Sequence, residues 1–391
     1  MYETIIPKEC GFVNSKIAEN AGIDIALPVE IQSPGDKQRP ANNRIKAWEQ
    51  HKAASAKTAN KMLSVYYRYA KFSRHAAADG DDIKAWEYLE TASKFFERGQ
   101  RMYNCANFIL HGKCPDCGRT HTSSAMLCRD RVCPTCNWRL SLQQACEMQQ
   151  ALAYITDLDQ YKAAFVTLTL RNCAVDELKG TLEHMAAGWN RMLARKAPKQ
   201  LFKGWARRVE ITYNSSAKTF HPHYHAIFLV PASTVATCDL DKYAMHAMVR
   251  DLWRSALRLD YDPVTDFQWI EDLSAGGQDE NATPELHKAI LETFKYTIKD
   301  DAIGKMPVET FRAFVEGING KRLTAYGGVI KEARAALDFT DELQDEQQNA
   351  CGGCANPALQ RVIYRWSFAS NTYERFENIM TAAIPKIKPG A

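Results

Sequence analysis

The chain has 391 residues, 46% of them hydrophobic, and a formal net charge of only +4. That length carries two or three domains with real cores, and the small charge excludes a global polycation, so affinity for nucleic acid has to come from local basic surface. No apolar run reaches the roughly 18 residues of a membrane span and no signal-peptide pattern opens the chain, so a cytoplasmic protein without a membrane partner is expected. In that compartment twelve Cys point to metal binding rather than disulfides.

In chain order, residues 1–40 are broken by Pro28, Pro34-Gly35 and Pro40 and read as a flexible tail. Residues 41–104 read as a helical N-terminal region of two or three helices, parted near Asp79-Gly80-Asp81. Their aromatics (Trp48, Tyr66, Tyr67, Tyr69, Trp86, Phe95, Phe96) read as core rather than as a base-stacking surface. Residues 105–140 hold six Cys and read as a zinc-binding module. Cys114-x2-Cys117-x15-Cys133-x2-Cys136 has the spacing of a structural zinc site, because each CxxC turn offers two thiolates and two such turns close a tetrahedron. Cys105 and Cys128 are further candidates, with His111 and His121 in reserve, so the ligand subset stays open. Residues 141–156 continue as a helix.

A mixed unit of strands and helices follows over about 160–300. A strand at 164–170 leads to a helix at 175–194, a strand at 207–213 and the turn Asn214-Ser215-Ser216-Ala217. The run His221-Pro222-His223-Tyr224-His225 then enters the apolar Ala226-Ile227-Phe228-Leu229-Val230. The strand period of two puts His223 and His225 on one face, about 7 Å apart, where two imidazoles share one divalent cation. Pro222 is expected to mark the strand start, which leaves His221 outside the pleat. Glu210, between Val209 and Ile211 on the other arm of the hairpin, is a costly carboxylate unless it faces the histidines as a third ligand. Between His184 and Val209 there is no acidic residue. Arg191, Arg195, Lys196, Lys199, Lys203, Arg207 and Arg208 alternate there with Trp189, Phe202 and Trp205, a pattern that fits strand binding and core packing equally.

Residues 284–299 read as a helix, with Thr283 as N-cap, Pro284 at its first position and Leu291, Phe294 and Ile298 as core stripe. Helical spacing places Glu292, Tyr296 and Lys299 together on a neighbouring face. Residues 336–391 read as an acidic linker and C-terminal segment, with an isolated Cys351-Gly352-Gly353-Cys354.

Together these motifs resemble the HUH endonucleases, most closely the single-tyrosine plasmid rolling-circle replication initiators, whose tyrosine motif has the form KYxxK. The resemblance rests on Phe165–Asn172, the His223-x-His225 strand and Lys295-Tyr296-Thr297-Ile298-Lys299, in the family's order, and extends from about Trp48 to Lys331. It also takes in Cys128–Arg139 and Tyr326-Gly327-Gly328-Val329, and it favours Cys128, Cys133 and Cys136 as zinc ligands. It implies an α+β fold, an HUH-type antiparallel sheet flanked by helices, with the endonuclease domain at 141–335. It further implies a catalytic Mg²⁺ or Mn²⁺ at His223, His225 and Glu210, a structural Zn²⁺, and origin DNA as partner, presented as a single strand or hairpin. A host helicase and polymerase would act downstream. By resemblance Tyr296 attacks the scissile phosphate, Lys299 offsets charge and Glu292 assists a second, terminating cleavage. A relaxase or transposase shares the core, although a relaxase carries its tyrosine before the histidines. A histidine-triad nucleotide hydrolase and a non-catalytic zinc-dependent DNA-binding regulator are the other readings.

Overall fold

The computed structural model describes residues 42–118, 120–270, 285–344 and 360–376. The first two helices, α1 (Asn42–Ala78) and α2 (Asp82–Tyr103), pack along one another. Between them Gly80 takes a left-handed φ of +78°, and the Asp81 side chain caps α2 by accepting from the Lys84 amide. Trp48, Tyr69 and Phe95 are buried, as expected of core aromatics, whereas Tyr67, Trp86 and Phe96 stay exposed.

The hairpin β1 (Phe108–Lys113) and β2 (Thr120–Ala125) precedes helix α3 (Pro134–Tyr154). Then come β3 (Tyr161–Thr169), α4 (Leu178–Ala194), α5 (Lys196–Leu201), β4 (Gly204–Asn214), β5 (Thr219–Pro231), α6 (Ala232–Thr237), α7 (Lys242–Leu257) and β6 (Thr265–Ile270). Past the undescribed 271–284 lie α8 (Glu285–Phe294), α9 (Asp300–Lys305), α10 (Val308–Ile318), β7 (Thr324–Gly327) and α11 (Gly328–Ala336). The last strands, β8 (Gln360–Ser367) and β9 (Thr372–Arg375), join the first hairpin in a small antiparallel sheet of order β2-β1-β8-β9. The C-terminal strands thus share a sheet with the Cys-rich module, although the sequence sets them some 250 residues apart. Cys351 and Cys354 lie outside the described residues.

The main sheet has the order β6-β3-β5-β4-β7, antiparallel at every step. On one face Ala206, Ile227 and Leu229 pack with Met148 of α3, Ile290 and Phe294 of α8 and Ile330 of α11. On the other, Val209, Tyr224 and Phe228 pack with Trp189 of α4, Trp253 of α7 and Phe314 of α10. Helices on both faces explain the unbroken apolar run of β5, whose residues from Pro222 to Val230 are all buried.

The same layering settles the basic stretch. Trp189 and Phe202 are core, and the Arg207 guanidinium lies over the Tyr224 ring at 4.3 Å. Arg208 donates to Gln144 Oε1 at 2.6 Å, while Lys196, Lys199 and Lys203 remain exposed. A Cβ on Gly328 would stand 1.8 Å from the Lys203 carbonyl oxygen, so β7 and α11 approach β4 this closely only through glycine.

Two boundaries differ from expectation. Strand β5 begins at Thr219, so Pro222 and His221 lie within it, paired with Ile211 and Thr212. Ile211 sends its N–H to Thr297 O at 2.7 Å, away from β5, so by antiparallel alternation Pro222 also points away from β4, beyond the last residue of β3. A missing N–H costs nothing there. Helix α8 ends at Phe294, which leaves Tyr296 and Lys299 outside it.

Candidate active site and metal centres

The β4–β5 register sets Glu210 directly opposite His223, and opposite residues share a face. His225, two residues on, joins them. The His223 and His225 Nε2 atoms lie 3.2 and 2.9 Å from the same Glu210 Oε2, and all three side chains are buried. His223 Nδ1 lies 3.2 Å from the His221 carbonyl oxygen and must donate to it, because a carbonyl only accepts. That tautomer turns the Nε2 lone pair toward Glu210. A lone pair and a carboxylate oxygen at that distance need a cation or a proton between them, so the donor set suits a divalent metal. His225 is fixed by the Phe165 ring stacked on it at 5.5 Å and by Thr167 Oγ1, 3.3 Å from Nδ1.

Charge surrounds the cluster asymmetrically. Lys295 Nζ is 2.9 Å from Glu210 Oε2 and also pairs with Glu292, whose Oε1 is 3.9 Å from His225 Nε2. Burial resists ionisation of Glu210, yet its close contacts with His223, His225 and Lys295, above all the Lys295 ammonium, hold its carboxyl well below the usual range. Burial lowers the His225 pKa against the pull of Glu210. Burial also works against the Lys295 ammonium, but the Glu292 and Glu210 carboxylates outweigh it and raise that pKa. Among the described residues the buried trio borders the half-exposed Glu292 and Lys295.

The helix-face grouping of Glu292, Tyr296 and Lys299 does not form. The chain leaves the helix after Phe294, and Lys295 rather than Lys299 carries the cation to the site. Lys299 sits at the N-terminal boundary of α9, exposed and without an ion pair among the described residues. The bent segment after α8 is anchored on both sides of Tyr296: Lys295 on Glu210, and Thr297 O on the Ile211 amide of β4. Sequence reasoning also missed the neighbour of the Tyr296 hydroxyl. His51 of α1 places its Nε2 3.2 Å from that oxygen, and a lone His within a predicted helix gives no sign of it.

The second candidate centre is sulfur. Cys105, Cys128, Cys133 and Cys136 have their Sγ atoms within 4.8 Å of one another. Sγ···Sγ separations are 3.5 Å for Cys105–Cys136 and 3.6 Å for Cys128–Cys136 and Cys105–Cys133. A Zn–S bond of about 2.3 Å gives a tetrahedron with an edge of about 3.8 Å, close to these values. The Cys128 and Arg129 amides donate to Cys105 and Cys136 Sγ, and Ser55 Oγ lies 3.3 Å from Cys133 Sγ. Lys52, buried beneath them, has its pKa lowered to about 8 by burial, with the thiolate charges pulling the other way. The Cys114-x2-Cys117 pair belongs elsewhere: it follows β1 at the hairpin end, with Cys117 exposed, and Cys105 takes its place in the cluster. Spacing named Cys133 and Cys136 but paired them with Cys114 and Cys117, because it cannot see that α2 delivers Cys105 to the start of α3.

No helix among the described residues is long and apolar enough to cross a membrane. The model of the replication-protein family Rep_1 matches residues 119–374. The chain is similar to a "Protein rep" of Streptococcus pneumoniae serotype 2, 28% identical over 260 residues, covering 65% of this chain and 78% of the relative. A "Protein rep" of Bacillus amyloliquefaciens is 28% identical over 279 residues (68% and 81%), and one of Lentilactobacillus hilgardii 25% over 304 residues (75% and 92%). No solved structure matches it. With the family model spanning well over half of the chain, and with the helix-flanked antiparallel sheet in place, the protein belongs to the Rep_1 family of replication proteins and is a plasmid rolling-circle replication initiator.

Proposed function

We propose that this initiator nicks one strand of its plasmid origin by tyrosine transesterification in the cytoplasm, with Tyr296 as nucleophile. The observation that carries this is the double anchoring of the Tyr296 segment on β4 beside Glu210, through Lys295 and through Thr297 O. Glu210, His223 and His225 would hold a divalent ion, Mg²⁺ or Mn²⁺, which when bound would supply Lewis-acid polarisation of the scissile phosphate. Two imidazoles favour Mn²⁺ over the oxygen-preferring Mg²⁺.

Everything else falls to the chain's own side chains. The Tyr296 oxygen attacks phosphorus, the 3′ oxygen leaves, and the protein stays linked to the 5′ phosphate. The free 3′-hydroxyl primes a host polymerase, with a host helicase opening the duplex ahead. Lys295 neutralises Glu210 and Glu292 beside the incoming phosphate, and Lys299, expected to offset the phenolate charge or hold the phosphate, stands apart from them. Glu292, half-exposed at the open side of the cluster, accepts a proton from water in the terminating cleavage. Cys105, Cys128, Cys133 and Cys136 would hold a structural Zn²⁺ as a closed four-ligand site with no position for substrate.

Tyr296→Phe removes only the phenolic oxygen. It abolishes the covalent protein–DNA adduct on denaturing gels while origin binding persists. Adduct persisting in that variant, or mapping to the half-buried Tyr326, overturns the assignment, and a regulator that never cuts DNA gives no adduct even in the wild type.

A further inference from the structure

Resting on the reading of Tyr296 as nucleophile, we infer that His51 is its general base and Asp300 the residue that positions and polarises His51. The three come from separate elements: His51 from α1, Tyr296 from the segment after α8, and Asp300 from the first turn of α9. The Tyr296 hydroxyl lies 3.2 Å from His51 Nε2. On the far side of the imidazole, Nδ1 lies 3.6 Å from Asp300 Oδ2. That nitrogen is fully buried and has no hydrogen-bond partner. A polar nitrogen is thus left facing a carboxylate slightly beyond bonding distance, a gap that closes when the ring gains a second proton.

The ring is held for this task. His51 is 6% exposed and stacks on Trp138 at 4.6 Å, 17° from parallel. Trp138 follows Cys136 by two residues, and Lys52 and Ser55, on the same helix as His51, reach Tyr103 O and Cys133 Sγ. The thiol cluster therefore fixes the helix that carries the base. The other charged groups near this trio are Arg139, stacked on Trp138 at 5.2 Å, and Arg208, whose buried guanidinium feels the Tyr296 phenol.

The chemistry requires such an acceptor. A phenol has a pKa near 10, and near-neutral cutting needs that proton removed as the nucleophile attacks. With Nδ1–H directed at Asp300, Nε2 is the free base. The Tyr296 O–P bond forms as the P–O3′ bond breaks, and the phenolic proton passes to His51 Nε2. The departing 3′ oxygen keeps the bonding pair and takes a proton from solvent water. In rejoining, the His51 imidazolium, paired with Asp300, returns the proton to the tyrosine oxygen.

The test is single-turnover adduct formation by the full chain in Mn²⁺, on a single-stranded oligonucleotide spanning the nick site mapped with wild-type protein. His51→Ala slows adduct formation by about 10²-fold or more, and His51→Phe, which keeps a ring against Trp138, is equally slow. Both variants replace the wild-type pH plateau with a rate that climbs toward pH 10, and free imidazole partly restores His51→Ala. Asp300→Asn slows the reaction less, by about tenfold, and shifts the same pH profile. If His51→Phe matches the wild type in rate and pH profile while Tyr296→Phe forms no adduct, His51 is only packing and the base assignment is overturned. If Tyr296→Phe still forms adduct, the nucleophile reading fails instead, and the two failures are told apart in one experiment. His51→Phe also serves should His51→Ala not fold, with its melting temperature and DNA binding as controls.

Discussion

The two ligand clusters are both buried, yet they are built in opposite ways. The thiol cluster joins the end of α2, the loop before α3 and the first turn of α3, and backbone amides finish the coordination of its sulfurs. The Glu210–His223–His225 cluster lies on two neighbouring strands of one sheet and shares a face with the core under α8. Four donors close the first. Three leave the second open toward Glu292 and Lys295, whose side chains are 46% and 30% exposed. A closed site spends its metal on folding, and an open one on substrate. In this protein the fold puts each kind where that logic needs it: the closed site where separate elements must be tied, the open site where the sheet is already rigid.

Single substitutions break the comparison most sharply. His225→Ala lowers metal-dependent nicking by at least about 10³-fold, roughly 4 kcal/mol of transition-state stabilisation, with little change in melting temperature. Cys133→Ser does the reverse: bound zinc falls, the melting temperature drops, and DNA binding is lost along with stability. Brief chelation followed by Mn²⁺ restores nicking, whereas exhaustive zinc removal unfolds the N-terminal part. Nicking undiminished in excess chelator, or purified protein free of zinc by elemental analysis, removes one half of the contrast.

The open cluster was legible in the sequence and the closed one only partly so. A two-residue period forces His223 and His225 onto one face, and a short hairpin turn brings Glu210 opposite, so the juxtaposition of the three side chains follows from local rules. The thiol cluster depends on where α2 ends relative to α3, a long-range fact that CxxC spacing cannot supply. The tyrosine segment failed for a related reason. Helical periodicity continues through Ile298 in the sequence, but the chain stops the helix at Phe294 to bond Thr297 O to β4, a tertiary pairing that overrides propensity. His51 carried no signal because its partners lie some 245 residues away.

Glu292 sharpens the contrast within the open site. It touches Lys295 and approaches His225, so it is placed either as a water-activating base or as a further ligand. As a base, Glu292→Ala slows the terminating cleavage by about 10²-fold relative to the first nick, and products longer than one unit accumulate on a circular template. Glu292→Tyr then restores termination by supplying a second nucleophile, with the protein left attached. A first nick lost as completely as in His225→Ala, with termination kinetics unchanged, makes Glu292 a ligand and closes the site it was proposed to leave open.

The smallest effect concerns how the helix bearing His51 is held at its other end. Tyr69 donates to Glu309 Oε2 at 2.9 Å, and Arg68 and Arg312 pair with the same carboxylate of α10. Burial opposes ionisation of Glu309, but those partners outweigh it and hold its pKa below the ordinary value. A depressed folded-state pKa adds stability that is present above the unfolded value near 4.3 and is lost as pH falls through the folded one. Glu309 is 44% exposed, so the link contributes less than about 1 kcal/mol. Glu309→Gln therefore lowers the melting temperature by a few degrees at most at pH 7, and the gap to wild type closes as pH falls below about 4. Zinc content stays unchanged, because the thiol cluster anchors α1 independently near Lys52 and Ser55. A gap that persists undiminished at pH 3 means that packing of Tyr69, not the carboxylate charge, seats α1 on α10.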